Sequence, residues 1–434
     1  MSSMTAVLPP GKRIAVIGAG IAGMASAYFL ARKYRVTVFE AGQYAGGHTN
    51  TVDVELDGMR APVDTGFLVF NERTYPNLIA LFDELGVRSI ASDMSFSVSV
   101  GGGALEWAGT NLNTVFAQRR NLCSPSFLGM LRDILRFNAS AQRHLESASR
   151  ERQSVGELLL AHGYGQPFQQ HYLLPMAAAI WSSRAADILR FPAVTFLRFC
   201  LNHALLQIRD RPQWRTVAGG GREYVRRICA TLDDVRLGSP VRQVERDADG
   251  VMVRFGNAQA ERFDAVVMAS HAPTSLQLLG DACPTERRVL GAVRYQPNIA
   301  VLHTDPTLLP RRKRVWSAWN YVSHATRTTA SDHPVCVSYL INQLQALPFS
   351  TPVVVTLNPV REPAPCTVLG RYAYEHPLLD LAAVDAQSHL PALQGRRRTW
   401  FAGAWTGYGF HEDGLKSALR VARDFDVLPS WASL

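Results

Sequence analysis

Residues 14–17, Ile-Ala-Val-Ile, form an uninterrupted apolar run between Arg13 and Gly18, the pattern of a strand buried on both faces. Past the glycines the period changes. Ala22, Ala25, Ser26, Phe29 and Leu30 recur at helical spacing, and residues 36–39 restore the strand pattern, so the first forty residues predict strand, glycine turn, helix and strand. RTYPNLIALFDELGV predicts a helix with Thr74 as N-cap, Pro76 in its first turn and apolar residues at 78, 81, 82 and 85. SPVRQVERDADGVMVRF reads as a strand, a DADG turn and an alternating second strand, and FDAVVMASHAP supplies another buried strand. FLGMLRDILRFNA, LLPMAAAIW and FPAVTFLRFCLNHALLQI carry apolar stripes compatible with helices. Near the end of the chain, WFAGAWTGYGF sets a glycine- and aromatic-rich turn before an amphipathic helix, HEDGLKSALRVARDF.

At 434 residues the chain exceeds the size at which one core keeps growing, which predicts two domains, and 47% apolar residues can fill them. The lead-in MSSMTAVLPPGKR has no apolar signal core, so a frayed start and a cytoplasmic protein are expected. Six cysteines lie far apart without a CxxC or a partnered histidine spacing, which predicts small core residues and neither a zinc site nor a disulfide framework; no metal is expected. No apolar run approaches the roughly 18–20 residues that span a bilayer. The net charge of +9, with RRKR at 311–314 and RRR at 396–398, comes without a nucleic-acid motif. It leaves two readings, a solvated face or peripheral contact with anionic lipid on the inner membrane face.

The glycines between the first strand and helix carry the first chemistry. Gly18 permits a tight turn, Gly20 lets a pyrophosphate approach the backbone, and Gly23 lets helix and strand pack closely. The helix start, with Ala22 in its first turn, offers free N–H groups to the phosphates. Glu40, followed by Ala41 at the end of the second strand, is spaced to accept from ribose hydroxyls, and its charge would repel a 2′-phosphate. FAD and NAD both satisfy these residues.

The next stretch, AGQYAGGHTNT, resembles the FAD-binding half of the flavin amine oxidase and phytoene desaturase superfamily, in which a glycine pair, a basic residue and a Thr close over the FAD phosphates and ribityl chain. The resemblance implies contacts from Gly46, Gly47, His48 and Thr49, with His48 standing where the pattern usually has Arg and keeping a donor there. VDTGFLVF looks like the family's turn beside the flavin ring and implies Thr65, Gly66 and Phe67; TVAGGGREYVRRI is similar to its glycine-rich return to the FAD domain; main chain near Val241 would hold adenine. TWFAGAWT matches the late "FAG" strand-turn, which implies Gly403, Ala404 and Trp405, and the helix after it, with His411, Asp413 and Gly414, would aim its N-terminus at the flavin N1–C2=O edge. Many members have Glu directly after "FAG"; here Ala404 and Trp405 follow.

The implied fold is α/β: a Rossmann-type FAD-binding domain (1–76, 215–290 and 395–434) interleaved with a mixed α+β substrate domain (77–214 and 291–394). FAD would be noncovalent, since no cysteine lies in the C-terminal flavin segment. GGG at 101–103 and at 219–221 lack a preceding strand and a following acidic strand end, so a second nucleotide site is not expected, and substrate would reduce the flavin that oxygen or a quinone reoxidises. DTGFLVFNERTYPNL and FAGAWTGYGFHEDGLKSAL resemble a compact bacterial branch, described only as NAD/FAD-binding proteins and associated with fatty acyl lipid modification alongside cyclopropane-fatty-acid-synthase-like methyltransferases. This implies a desaturase or dehydrogenase that moves hydride from an apolar chain to flavin N5. Tyr408, His411 and Glu412 are the candidates for proton acceptor or ring positioning, and His376 is a weaker one. Amine or isoprenoid oxidation and a flavin-containing lipid- or partner-binding protein are the alternatives. Amine oxidases commonly keep a lysine bonded through water to flavin N5, and Lys313, the one lysine outside the FAD segments, sits in an arginine run that reads as solvated.

Overall fold

The structure, a computed structural model, describes residues 8–207, 211–323 and 336–434; the first seven residues of the lead-in fall outside them. Strand β1 (Arg13–Ile17), helix α1 (Ile21–Leu30) and strand β2 (Arg35–Phe39) form as the apolar pattern predicts. They belong to a five-stranded parallel sheet in the order Asp234–Arg236, β2, β1, Ala265–Met268, Thr399–Phe401. Its strands come from distant parts of the chain, which is the interleaving expected. Ile14, Ala15 and Val16 are fully buried because the sheet is covered on both faces. On one side α1 packs against the C-terminal helix His411–Asp424. Helix α1 is buried along nearly its whole surface, so its small residues are packing requirements: a β-carbon at Gly23 would lie 1.8 Å from the Gly18 carbonyl oxygen. On the other side stands an antiparallel sheet of Val241–Arg246, Val251–Phe255 and Gln259–Phe263.

The second body is a seven-stranded sheet, in the order Val368–Leu378, Arg294–His303, Val354–Leu357, Val337–Leu340, Trp319–Val322, Phe96–Val100, Leu105–Ala108. Every pairing in it is antiparallel except Trp319–Val322 with Phe96–Val100. Helices Pro125–Glu151, Leu174–Trp181 and Ala193–Asn202 bury their apolar stripes in the same core.

Several local expectations change. Helix α2 (Pro76–Leu85) is capped by Tyr75 without a side-chain bond, while Thr74 turns back to Asn71. Leu78, Leu81 and Phe82 join the core around α1, so α2 packs with the nucleotide sheet, whereas the sequence pattern places 77–214 in the substrate domain. Helix Leu381–His389 likewise packs with that sheet, on its other face. The two GGG runs do follow strands. Gly101, Gly102 and Gly103, all at positive φ, turn the hairpin between Phe96–Val100 and Leu105–Ala108. Gly219–Gly221 lead from Trp214–Val217 into Arg222–Cys229, but the Gly221 N–H donates to Asp64 Oδ1 at 2.9 Å, so the protein's own carboxylate takes the place a phosphate would need. One arginine of each basic run is held in an ion pair: Arg312 at 2.7 Å with the fully buried Glu106, and Arg397 with Asp281. All six cysteines are free thiols. Among the described residues no helix is long and apolar enough to cross a membrane.

Candidate active site

A cavity of ≈ 600 Å³ runs from the carboxyl ends of β1 and β2 into the face of the seven-stranded sheet. A crevice beyond the strand ends of a parallel sheet is where such folds bind ligands. Gly18 turns there at φ +102, and its N–H donates to the Phe39 carbonyl at 2.8 Å. At Gly20 a β-carbon would meet nothing within 4 Å, and α1 starts without a side-chain cap, so its first-turn N–H groups, including that of Ala22, are open to an anion. Gly46 pairs back onto this turn by donating to the Ala19 carbonyl at 2.8 Å, with Gly47 against Gly20. The Glu40 carboxylate accepts from the N–H groups of Ala19 and Gly42, both at 2.8 Å, which fixes it at the rim beside Ala41. Val241 lines this end as well.

At the middle of the cavity a β-carbon at Gly66 would lie 2.1 Å from the His48 carbonyl oxygen, to which Phe67 donates its N–H. Thr65 Oγ1 reaches the Tyr374 hydroxyl at 2.8 Å. Gly403, Ala404 and Trp405 form the opposite wall; Trp405 Nε1 is buried there without a partner. The His411 ring stacks on Phe67 at 3.7 Å, and its Nε2 meets Thr49 Oγ1 at 2.8 Å. Burial holds His411 down to about 3, so it is neutral in the folded protein. Beyond it the wall turns apolar and aromatic, with Trp181, Phe199, Trp319, Tyr339, Tyr408 and Phe410. Among the described residues no Lys or Arg lines the cavity, and Glu40 and Glu375 are the carboxylates that do.

A sequence profile of the flavin containing amine oxidoreductase family matches residues 21–425. The chain belongs to that family. It is an FAD-dependent oxidoreductase, and the solved structures it resembles share its fold. One is a fatty acid isomerase from P. acnes, at TM-score 0.65 and 15% identity over 95% of this chain and 98% of the other. Another is cyclohexylamine oxidase from Brevibacterium oxydans, at TM-score 0.63 and 18% identity over 96% of this chain and all of the other. A shorter stretch of 129 residues is 35% identical to the carotenoid phi-ring synthase of Chlorobaculum tepidum; it makes up 27% of this chain and only 20% of that protein.

The cavity suits FAD in this oxidoreductase: an open glycine turn at an uncapped helix start, an acidic residue at the rim, and a buried indole donor without an acceptor. Of the residues singled out from sequence, Gly23, Thr49, Glu412, Asp413 and Gly414 do not line it. Gly23 and Gly414 serve packing, Gly414 against Ile21. Asp413 accepts from the Phe410 N–H at 3.0 Å and so caps its own helix. Glu412, expected beside the flavin, faces α2 instead. Its oxygens accept from the N–H of Asn77 and Leu78 and from Asn77 Nδ2, because a buried carboxylate is best satisfied at a helix N-terminus. Lys313 holds its Nζ over the Trp316 ring and does not reach the cavity.

A cluster that sequence reading left almost unnoticed stands on the cavity wall: Tyr374, Glu375 and His376 on one strand, His271 after another, and His48 between them. His48 stacks on Tyr374 at 5.0 Å and lies 5.2 Å from His376. Burial, then the neighbouring histidines, hold His48 far below the usual imidazole range, and burial brings His376 to about 4. The signal available was position: His271 stands three residues past the end of a buried parallel strand, where such folds place ligand-binding groups.

Proposed function

We propose that this flavoenzyme is a desaturase or dehydrogenase that takes hydride from a fatty acyl or comparably apolar chain. The observation that carries the reading is the inner half of the cavity. Around Trp181, Phe199, Trp319, Tyr339, Tyr408 and Phe410 the wall is aromatic and aliphatic, and among the described residues no Asp or Glu stands there to hold an ammonium. Two proteins that the chain is similar to are named for a fatty acid and a carotenoid, which agrees with a long apolar substrate.

FAD would be held noncovalently by the glycine turn, Glu40, His48, the segment 65–67 and the segment 403–405, and would supply a two-electron acceptor at flavin N5. The chain's own residues do the rest. The aromatic wall would bind the apolar chain and exclude water from the site. His411, neutral and held between Phe67 and Thr49, would position the flavin ring. Tyr408, whose pKa burial raises, keeps its proton at neutral pH. Glu412 is committed to α2. Oxygen or a quinone serves as the external electron acceptor, and contact with an anionic membrane delivers the lipid.

A second reading, oxidation of an amine, is favoured by the aromatic faces, which attract cations. One experiment separates them: the purified yellow protein is mixed anaerobically with simple alkylamines, with an isoprenoid, and with lipid extracted from its host. Bleaching by the lipid alone supports the proposal; bleaching by amines alone overturns it. A flavin that none of them reduces turns the account toward a binding protein.

A further inference from the structure

Fourteen large apolar side chains are exposed among the described residues, and five of them, Leu112, Leu122, Leu128, Leu135 and Leu160, fall between residues 112 and 160. The least open of the five, Leu128, is still 43% exposed. Exposed leucines scattered singly need no explanation, but these stand on elements that are bonded together. Arg119, on the turn Arg119–Cys123, donates to Asn113 Oδ1 at 2.5 Å and to the Phe116 carbonyl at 3.1 Å, which ties that turn to helix Leu112–Val115. The Phe116 ring meets Phe127, in the first turn of helix Pro125–Glu151, edge to face at 5.8 Å. Arg136 on the same helix reaches the carbonyls of His162 at 3.0 Å and Gly163 at 3.2 Å, just beyond helix Val155–Ala161, which carries Leu160.

Along helix Pro125–Glu151 the helical period sorts two faces. Phe127, Met130, Phe137 and Ala141 are buried in the core that also holds Trp181 and Phe199 of the cavity wall. Leu128, Arg132 and Leu135, at i, i+4 and i+7, share the opposite face and are exposed. The helix therefore stands one layer out from the site, with leucines on its outer side.

The charge around these leucines has one sign. Residues 107–145 contain five arginines and one acidic residue, Asp133. Asp133 is turned inward, accepting from the Gly165 N–H at 2.9 Å and pairing with Arg136 at 3.1 Å. Arg119, Arg120, Arg132 and Arg143 are exposed, and none has a carboxylate partner among the described residues; Arg120 donates to the Ala104 carbonyl and Arg143 to Ser140 Oγ. Arg311 packs its stem against Gly103, next to Ala104, so the exposed Arg311, Lys313 and Arg314 continue the same basic surface.

We propose that this surface, centred on Leu122, Leu128 and Leu135, docks the enzyme on an anionic lipid bilayer. The leucines enter the boundary between headgroups and acyl chains, and the arginines keep their guanidinium groups at the lipid phosphates. Charge and apolarity together select this occupant. Nucleic acid would meet the arginines but leave the leucines in water, and a second copy of the chain would cover the leucines but set unpaired arginines against their own kind. The proposal rests on the apolar lipid substrate argued above and gives the face through which that substrate is drawn from the membrane.

The test sediments the full-length holoenzyme with vesicles of phosphatidylcholine alone and of an equal mixture with phosphatidylglycerol. The mixed vesicles should carry the protein down, the neutral ones should not, and binding should weaken at least ~10-fold in about 1 M salt. Arg119→Gln with Arg120→Gln should weaken binding by ~25-fold, about fivefold for each arginine. Leu128→Ser with Leu135→Ser should weaken it by ~10-fold or more. All four positions are exposed, so flavin content and thermal unfolding should stay as in the wild type, and wild-type binding by both double variants overturns the proposal. Cys123, an exposed thiol beside Leu122, reports the face directly. A polarity-sensitive dye on it, in a Cys366→Ser background, should shift to the blue on mixed vesicles; a dye that still reports water on sedimented protein overturns this face. Binding to DNA without binding to the mixed vesicles overturns the proposal in favour of nucleic acid, and a dimer that Leu128→Ser with Leu135→Ser dissociates overturns it in favour of a second copy. Vesicle binding by an enzyme whose flavin no lipid bleaches refutes the oxidation reading and upholds the surface, whereas bleaching by detergent-dispersed lipid without vesicle binding overturns the surface and leaves the oxidation standing.

Discussion

Two glycines three residues apart separate the packing role of the phosphate turn from its binding role. A β-carbon at Gly23 would sit 1.8 Å from the Gly18 carbonyl oxygen and 2.9 Å from its carbon, backbone atoms that anchor β1 to α1. The first contact is about 1 Å inside the closest approach such atoms show, so Gly23→Ala must push α1 off the sheet or unseat the turn. Overpacking of this kind costs about 1–3 kcal/mol and sometimes more, and α1 cannot yield outward, because the C-terminal helix covers it. At Gly20 the backbone is extended, at φ −70, and a β-carbon would meet nothing within 4 Å. Gly20→Ala should therefore change stability by no more than about 0.5 kcal/mol. The added methyl instead occupies the space where a pyrophosphate would approach, so flavin affinity should fall by about 10- to 100-fold, the same 1–3 kcal/mol now charged to binding. The assay pairs thermal unfolding of the apoprotein with flavin content from the visible band. Gly20→Ala protein that purifies fully yellow, or that unfolds as early as Gly23→Ala, would refute the reasoning.

Buried neutral histidines give acid sensitivity a definite sign. Folding lowers His203 and His376 to about 4 and His411 to about 3, so each contributes stability that is complete above its unfolded pKa near 6.5 and lost as pH falls below it. Asp64 and Asp413, raised to about 6 by burial, act in the opposite direction below that pH but are fewer. Urea unfolding should show a less stable protein at pH 5 than at pH 7, and His411→Asn should narrow the difference. Arg246 and Glu286, with side chains 0% and 4% exposed, join the hairpin sheet to helix Pro284–Gly291; because Arg246 keeps its pair with Asp281, Glu286→Gln should cost about 1.5–3 kcal/mol, read as a lower urea midpoint. Acid-denatured protein should release its yellow colour to the supernatant, as a noncovalent flavin requires. Lys313→Ala should leave the rate of flavin reduction unchanged, since its ammonium lies on Trp316 and away from the cavity.

The nucleotide end of the site was legible because its residues obey local rules. Gly18, Gly20 and Gly23 are dictated by a turn, an approach and a packing contact within one strand-turn-helix unit, and Glu40 follows at the end of the next strand. The histidine-lined wall obeys no such rule. Tyr374, Glu375 and His376 lie on a long strand whose pairing with Arg294–His303 sets which residues face the cavity, and that register depends on contacts nearly eighty residues apart in sequence. Glu412 misled for a similar reason. Its neighbour His411 reaches the cavity, but the helix turns the next side chain by about 100° onto α2, whose N-terminus needed a carboxylate. Thr74 was the obvious cap by spacing, yet a residue more than three hundred positions away took the role. The GGG runs show that glycine clusters mark tight geometry without naming its purpose: one turns a hairpin, and one seats a helix on Asp64.

The central claim is that a bound flavin removes two hydrogens from an apolar chain, and its most direct measurement is a stoichiometry. The yellow protein is titrated anaerobically with host lipid while the visible band is followed, and the lipid is then weighed by mass spectrometry. The account predicts one chain lighter by two hydrogens for each flavin bleached. A band that stays yellow through the titration yet bleaches with dithionite would contradict it.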